Sequence, residues 1–447
     1  MTRINRKIAS PLRRNLINGT VDGVAFSLMV SFGETYLGAF VLATGHAAVW
    51  AGWVSTMPLV VGAILQLISL KGVRIVGSHK WWVVACASAQ GLAFIPLIVA
   101  TFSGESPLWL PFLAATLYWG AGMATGPAWN AWSESIVPRK IRTRYFTARI
   151  RATQVAALIG LLVSGFLLEA FRHANRTMIG FGCLFAGALG FRSISSFFLS
   201  KQSDAPVPFS NDKRPMLVVL REFVSGPSSR LLFYLMALQF AAHVAAPFFT
   251  PYMLSELKLS YTSFMLLLSV ASMGRILVLP YAARLAGRIG IPRVILIAGI
   301  MVVPMPVLWL VSDDLAYLVL LQVAGGVAWA TFELATFLHW FEAIPQVDRT
   351  KTLTLYNVMN AVAIVSGSLV GGYLLQHGIG DLKKYSAIFT MSTAFRFATL
   401  GLYYWAFRAL LKRPMGTVEI KVVPYMPMNQ VDGIERYNRR GANRHVK

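Results

Sequence analysis

The sequence predicts an all-α integral membrane protein with twelve transmembrane helices in two pseudo-symmetric six-helix bundles. Apolar stretches of about 20 residues or more, the length that an α-helix needs to cross a hydrocarbon core, recur along the chain. The second half of the chain also repeats the first. Hydrophobic residues make up 56% of the chain and charged residues 13%, which leaves too little polar surface for a water-soluble protein of 447 residues.

The apolar stretches define twelve predicted spans, which we number in chain order. They cover residues 17–43, 47–69, 81–101, 109–136, 147–171, 178–199, 231–255, 261–285, 293–311, 315–341, 353–375 and 386–411. The predicted domains are a basic cytoplasmic arm (1–16), an N-terminal six-helix bundle (17–200), a cytoplasmic linker (201–230), a C-terminal six-helix bundle (231–411) and a basic cytoplasmic tail expected to be disordered (412–447).

The linker is the longest connection between predicted spans and is rich in proline. Within it, residues 216–223 fit either a short helix at the surface of anionic lipid or a plain polar linker, which is the interpretation we prefer.

The net charge of +23 would suggest nucleic-acid binding in a soluble protein, but here the basic residues flank the spans and act as topology signals. Loops 71–80, 139–144 and 284–293 are basic and fall on the same side as the basic arm. The loops between spans 1 and 2 and between spans 3 and 4 contain no Lys or Arg. Both termini are therefore expected in the cytoplasm, and in a bacterium the protein would lie in the inner membrane.

Cys86 and Cys183 are the only cysteines, and both fall inside predicted spans. A disulfide framework or a thiol metal site is not expected from them. We expect no cofactor and no nucleic-acid partner.

An internal repeat relates the two predicted bundles. Residues 138–168 align with residues 345–375 without a gap. The matches least explained by apolar composition are Arg142-Thr143 with Arg349-Thr350 and Gly160 and Gly165 with Gly367 and Gly372, and a separate match joins Arg192 to Arg396. Two similar bundles with both termini on one side are the parallel-repeat arrangement of many secondary transporters.

Two pairs of loops resemble the major facilitator superfamily. Residues 72–80 and 283–293 are similar to its short basic turn after the second helix of each half, and residues 134–144 and 342–351 are similar to its Glu, Pro, Arg signature. The resemblance covers about residues 17–411. It implies a secondary active transporter that moves a small molecule by alternating access, with helices 1, 4, 7 and 10 lining a central cavity.

This chain departs from the family pattern at two places. Val73 and Arg74 stand where the family's first basic turn would carry an Asp, which puts a gate ion pair built on that Asp in doubt. Predicted span 5 has Gly160 and Gly165 but lacks the Gly-Pro pair of the similar drug antiporters, so multidrug efflux is disfavoured.

Candidates for substrate or coupling-ion contacts are the few strongly polar residues inside the spans, because ionisable groups there cost several kcal/mol unless they pair or face water. On span 1, the spacing of Ser27, Ser31 and Glu34 predicts one shared polar face. Glu34 can bind a cationic group, carry a proton, or only pair with an arginine such as Arg275.

Spans 7, 8 and 10 supply the other candidates. Gln239 and His243 lie four residues apart on span 7, and Glu333 lies on span 10. His243 and Glu333 can relay a proton, although a lone His is more often a packing residue. Arg275, on span 8, can hold an anionic substrate or neutralise Glu34 or Glu333.

Gate and structural roles are assigned to further charged residues. Asp22, near the basic end of span 1, is interpreted as interfacial or as a gate residue. Arg192 and Arg396 are interpreted as structurally paired or as snorkelling toward the cytoplasm. The repeat-related gate candidates are Glu134, Arg142, Glu342 and Arg349.

Enzyme motifs are missing, including the zinc His-Glu-x-x-His pattern and the phosphate-binding glycine loop. We therefore expect no enzymatic activity and no ATP coupling within the chain. An ion gradient, of protons, is the expected energy source. The alternative to transport is a non-transporting membrane sensor or assembly factor of the same fold. Expected partners are an unidentified small-molecule substrate, membrane lipid and protons, with the chain as a monomer.

Tags at both termini and one near Ser210 in the linker are expected on the cytoplasmic side, because the basic clusters lie on that side. Protease protection in sealed vesicles measures the location of each tag. A linker tag on the opposite side would contradict the topology of twelve spans.

Overall fold

A computed structural model describes residues 3–103, 106–204, 216–225, 229–343, 349–378 and 384–411, and its regular secondary structure is entirely helical over these residues. The first half contains α1 (Arg3–Phe32), α2 (Leu37–Ala43), α3 (Ala48–Val54), α4 (Met57–Val76), α5 (His79–Leu92), α6 (Ile95–Ser103), α7 (Trp109–Ile136), α8 (Arg139–His173) and α9 (Thr177–Ser200). After α10 (Met216–Ser225) the second half contains α11 (Ser229–His243), α12 (Phe249–Pro251), α13 (Tyr261–Ile289), α14 (Ile291–Val302), α15 (Met305–Leu308), α16 (Leu315–Ala343), α17 (Arg349–His377) and α18 (Lys384–Leu411). The predicted tail (412–447) and part of the predicted linker lie outside the described residues.

Ten segments of the described chain are helical, long and apolar enough to cross a membrane, judged by length and composition. They coincide with ten of the predicted spans. The fourth and twelfth predicted spans also form long helices, α7 and α18, but they are not among these ten segments. The all-helical membrane fold is thus confirmed, while the count of twelve spans stays a prediction.

Several predicted spans are interrupted, and four of the interruptions share one physical cause. A proline within a helix clashes with the carbonyl group four residues earlier, so the helix tends to stop there. Helices end at Val54, Leu92, His243 and Val302, which are each followed four residues later by a proline: Pro58, Pro96, Pro247 and Pro306. Predicted spans 2, 3, 7 and 9 are therefore each built from more than one helical segment.

Span 1 is also interrupted, although it has no proline at the break. α1 ends at Phe32, and a short 3₁₀ turn from Glu34 to Tyr36 leads into α2. A side chain in place of Gly33 would overlap the Phe94 ring, so glycine permits close packing at this break.

The helix packing repeats between the halves. In the first half α1 packs against α8 and α9, and in the second half α11 packs against α17 and α18. Likewise α4 packs against α7 as α13 packs against α16. The internal sequence repeat therefore corresponds to a repeated arrangement of helices.

α10, in the predicted linker, is helical and packs against α11 and α17. Val219 and Phe223 are its buried apolar side chains, whereas Arg221 and Glu222 are exposed. The preferred interpretation as a plain polar linker is wrong for this segment, because its apolar face is covered by the second half of the chain.

The two ends of the bundle differ, and we name them by their loops. The basic side carries the turns at residues 77–78 and 137–138, and the far side carries those at 44–47 and 174–176. On the far side the halves are joined by a hydrogen bond from Thr56 Oγ1 to Ser368 Oγ (2.8 Å) and by one from Trp53 Nε1 to the Ser368 carbonyl (3.1 Å).

Small residues allow this far-side contact to be close. The Phe248 ring occupies the space that side chains at Gly52 and Gly371 would need, so it is wedged between the two halves. Toward the basic side, α8 is exposed on two faces, with Ile150 on one and Val155 on the other. The halves therefore pack together on the far side, and α8 is less covered toward the basic side.

Cysteines replacing Thr56 and Ser368, in a variant without Cys86 and Cys183, are expected to form a disulfide because the native hydroxyl oxygens are in contact. With a protease site inserted in the linker, the disulfide should keep the cleaved halves together on a non-reducing gel.

Cysteines at Ser88 and Ser196, whose hydroxyl oxygens are 2.7 Å apart within the first half, are the matched control. They should oxidise equally well without joining the cleaved halves. Separation of the halves in the Thr56–Ser368 variant, despite oxidation of the control, would contradict the far-side contact.

Candidate functional site

Glu34 lies at the break in span 1, where the chain leaves α1. Its Oε2 atom accepts a hydrogen bond of 2.5 Å from the hydroxyl of Tyr118, a buried residue of α7. Among the residues that the structure describes, no basic side chain forms an ion pair with Glu34. Its carboxyl group is thus held by a neutral donor, and Tyr118 is the contact that sequence reasoning missed.

Ser31 and Glu34 have different neighbours. The buried Ser31 hydroxyl lies 3.0 Å from the carbonyl oxygens of both Ser27 and Ala157, the latter on α8. Glu34 instead contacts α7. The expected shared polar face does not extend to Glu34, because α1 ends between the two residues and the helical spacing no longer applies.

Arg275 and Glu333 form an ion pair between α13 and α16. The distance from Arg275 Nη2 to Glu333 Oε2 is 2.5 Å, and the two side chains are 42% and 53% exposed. Arg275 lies two residues from each of Met273 and Leu277, which are exposed apolar residues, so it projects from the opposite face of α13. Glu34 and Glu333 were the two candidate partners of Arg275, and the structure pairs Arg275 with Glu333.

His243 is the last residue of α11, next to the break caused by Pro247. Its Nδ1 atom lies 2.9 Å from the Gln239 carbonyl of the same helix, and both side chains are half-buried. Within the described residues no hydrogen bond or ion pair joins Glu34, His243 and Glu333 to one another. Their meeting in one cavity therefore stays a proposal.

A buried charge cluster lies toward the basic side of the first half. Asp22 accepts hydrogen bonds from Arg149 Nη2 (3.1 Å) and from Ser195 Oγ (2.7 Å), and Arg192 Nη1 donates to the same Ser195 hydroxyl (2.7 Å). Arg149 also donates to the Gly19 carbonyl and stacks 4.7 Å from the Trp129 ring. One carboxylate thus ties together α1, α8 and α9.

Asp22 is 3% exposed, so it is a buried network residue and not an interfacial one. Arg149 was not among the candidates. A buried carboxylate needs a basic partner, and this general rule predicts that some Lys or Arg lies beside Asp22. Sequence spacing alone does not say which helix supplies that partner.

Arg396 has no carboxylate partner in the part of the chain that the structure describes. Its guanidinium donates to the carbonyl oxygens of Val302 (2.9 Å) and Ala242 (3.3 Å), which lie at the ends of α14 and α11. Helix ends carry unpaired carbonyl groups and a partial negative charge, so a buried cation is stabilised there. Arg396 therefore supports two broken helices.

One of the two predicted gate pairs is formed. Arg142 Nη1 lies 3.6 Å from Glu134 Oε2, and Arg142 Nη2 donates to the Glu134 carbonyl at 2.6 Å. The side chains of Glu342 and Arg349, the repeat-related pair, lie outside the described residues. The described residues contain no cluster of three His, Cys, Asp or Glu side chains that could hold a metal ion.

Comparisons with known proteins agree on the fold. The Major Facilitator Superfamily model matches residues 231–422. A search of curated proteins returned no match.

Among solved structures, the nucleoside transporter NupG, as a point mutant, is similar over 88% of this chain and 99% of its own, with 16% identity and a TM-score of 0.69. A D-xylose-proton symporter is similar over 88% of this chain and 97% of its own, with 14% identity and a TM-score of 0.67. An inward-facing bacterial homolog of the human lysosomal transporter Spinster is similar over 92% of this chain and 99% of its own, with 15% identity and a TM-score of 0.60. At these identities the likeness concerns the fold.

The two span-1 carboxylates are expected to differ in their effect on stability. Asp22→Asn leaves Arg149 and Arg192 buried without their carboxylate, a loss of about 3–5 kcal/mol in the free energy of unfolding. Glu34→Gln removes no ion pair and keeps an oxygen for Tyr118, so we expect a loss of roughly 1 kcal/mol. Thermal unfolding of the purified variants measures both, and equal losses would contradict the assignment.

Proposed function

We propose that the chain belongs to the major facilitator superfamily, whose family model matches residues 231–422, and that it is a secondary active transporter that moves a small molecule by alternating access, coupled to protons. The two repeated halves rock about a central site. The protein is a monomer in the cytoplasmic membrane, with both termini and the basic side in the cytoplasm.

Glu34 is the proton-exchanging residue in this proposal. The observation that carries it is the absence of a basic partner at this carboxyl group among the described residues, while Asp22 and Glu333 each contact an arginine. A carboxylate inside a membrane is costly unless it is paired or faces water. Of Asp22, Glu34 and Glu333, Glu34 is thus the residue that can gain a proton without disrupting an ion pair among the described residues.

The Arg275–Glu333 pair contacts the substrate in this proposal. The pair lies on the face of α13 opposite its exposed apolar residues, and both side chains are about half exposed. A substrate with charged or strongly polar groups can interact with either member. Gln239 and His243, near the break in span 7, complete the proposed set of contacts.

The basic-side gate consists of Glu134 with Arg142 and, by the repeat, Glu342 with Arg349. The first pair brackets the turn at Pro138, and the second brackets Pro345 in the sequence. Together they favour the state in which the basic side is closed. The far-side contacts between Thr56 and Ser368 support the assignment of the structure to the opposite, inward-facing state.

The second candidate is a non-transporting sensor or assembly factor of the same fold. Such a protein is expected to bury its intramembrane charges in pairs. The exposure of Glu333, and the lack of a basic partner for Glu34 among the described residues, favour transport over this alternative.

Metabolite profiling tests transport directly. Cells with and without the protein should differ in the ratio of internal to external concentration for a small set of compounds. Cells that carry Asp313→Asn, a change at an exposed loop carboxylate, are the control for expression and should give the profile of the parent protein. Asp22→Asn is a poor control because it destabilises the protein. Identical profiles in all cells would favour the non-transporting alternative.

Glu34→Gln is expected to lose gradient-driven transport of the identified substrate but to keep counterflow, which needs no net proton movement. Glu333→Gln is expected to lower both activities, because it removes the partner of Arg275 at the proposed substrate contact. Normal gradient-driven transport by both variants would show that the proposed site is wrong.

A further inference from the structure

Glu169, near the end of α8 on the far side, is a buried carboxylate that no step of the proposed mechanism uses. Its Oε1 atom accepts hydrogen bonds from Arg172 Nε (3.1 Å) and Nη2 (2.5 Å), and His173 Nε2 lies 3.3 Å away. These three residues belong to the same helix. Both basic side chains contact Oε1, which leaves Oε2 for another partner.

The partner of Oε2 comes from the other half of the chain. Glu169 Oε2 accepts a hydrogen bond of 2.9 Å from the main-chain N–H of Tyr261, the first residue of α13. The first N–H groups of a helix have no partner within the helix, and the helix dipole favours an anion at this end. Glu169 therefore acts as a helix cap supplied across the contact between the two halves.

Ser260 supplies the cap within α13 itself. Its hydroxyl accepts a hydrogen bond from the Ser263 N–H at 3.1 Å. The beginning of α13 thus has one cap from its own sequence and one from the first half. The two caps satisfy donors of the same helix end, but only the bond to Glu169 joins the halves.

Other contacts surround this bond. The Tyr261 ring packs edge-on against Phe181 of the first half, with ring centroids 6.1 Å apart. A side chain at Gly165, one turn before Glu169, would overlap Met265. The close approach of α8 and α13 therefore brings the carboxylate to the helix end.

We propose that Glu169 is a conformational latch, which stabilises the far-side-closed state by capping α13 across the halves and releases it when the far side opens. This inference rests on the proposed alternating-access function. Separation of α8 from α13 on the far side breaks the bond from Tyr261 N–H to Glu169, whereas the bond from Ser263 N–H to Ser260 moves with α13. The latch thus shifts the equilibrium toward the far-side-closed state.

The test measures far-side opening at a distant position. Thr56 is 4% exposed and bonded to Ser368 at the contact of α4 with α17, so Thr56→Cys in a cysteine-free chain reports opening of the whole far side. A membrane-impermeant maleimide added from the far side labels this cysteine. Glu169→Gln should raise the labelling rate roughly tenfold, because the hydrogen bond from Tyr261 N–H, which forms in one state only, loses its charged acceptor.

Ser260→Ala is the matched control, since it removes a cap from the same helix end without touching the link between the halves. It should leave the labelling rate unchanged. An equal rise in both variants would show that general loosening of α13 causes the effect, and would overturn the latch.

A second pair of variants tests the donor. Tyr261→Pro removes the N–H, and proline is tolerated at the first position of a helix. Ser260 has a ψ of 155°, which suits a residue before proline. Tyr261→Ala removes the ring but keeps the N–H. Faster labelling of the proline variant than of the alanine variant is expected, and equal rates would overturn the latch.

Labelling of Thr56→Cys in the otherwise unchanged protein distinguishes failure of the latch from failure of alternating access. Measurable labelling of Thr56→Cys in the parent, with no increase in Glu169→Gln, would overturn the latch and leave the proposed function intact. No labelling of the parent or of any variant, with full labelling after denaturation, would show that the far side does not open. That result would overturn alternating access and the latch with it.

Discussion

Polar groups inside a membrane must find partners within the protein, because the hydrocarbon core offers them none. Proline interrupts spans 2, 3, 7 and 9, and at each break it removes the helical N–H donor of the carbonyl group four residues earlier. In the second half Arg396 donates to the Val302 carbonyl, which has lost its helical donor to Pro306, and to the Ala242 carbonyl beside the break at His243. A single guanidinium thereby makes two irregular helices compatible with a buried environment, and the partial charges of the helix ends offset its own charge.

The acidic residues follow the same constraint in different ways. Asp22 is compensated by Arg149 and the Ser195 hydroxyl, and Glu169 by the basic residues of its own helix and by the first N–H of α13. Glu34 has Tyr118 alone in the described structure. A group with so little compensation is costly to keep ionised, so it is retained more readily for a role in exchange than for stability.

The sequence was sufficient to predict the all-helical membrane fold and the repeat, because span length and apolar composition are local properties. The helix breaks were accessible only in part: Pro58, Pro96, Pro247 and Pro306 each follow a helix end by four residues. Pro127 and Pro280, however, lie inside the unbroken α7 and α13. The pairing of Asp22 with Arg149 was not accessible, because it depends on the rotation and depth of two helices distant in sequence. The partner of Glu34 was missed for the same reason, and the break at Gly33 invalidated the spacing argument for Ser31.

The repeat-related arginines show how two similar halves acquire different roles. Arg192 donates to Ser195 and so belongs to the Asp22 network, whereas Arg396 donates to main-chain carbonyls at two helix breaks. In the first half, a change in the charge of Asp22 therefore disturbs a salt-bridged network. In the second half Arg396, at the equivalent position, has no carboxylate partner among the described residues. Its charge is stabilised by main-chain carbonyl groups, so this stabilisation depends on the geometry of the helix ends. Any movement that reshapes the break at His243 must alter the surroundings of Arg396, and so couples helix bending to the environment of a buried charge.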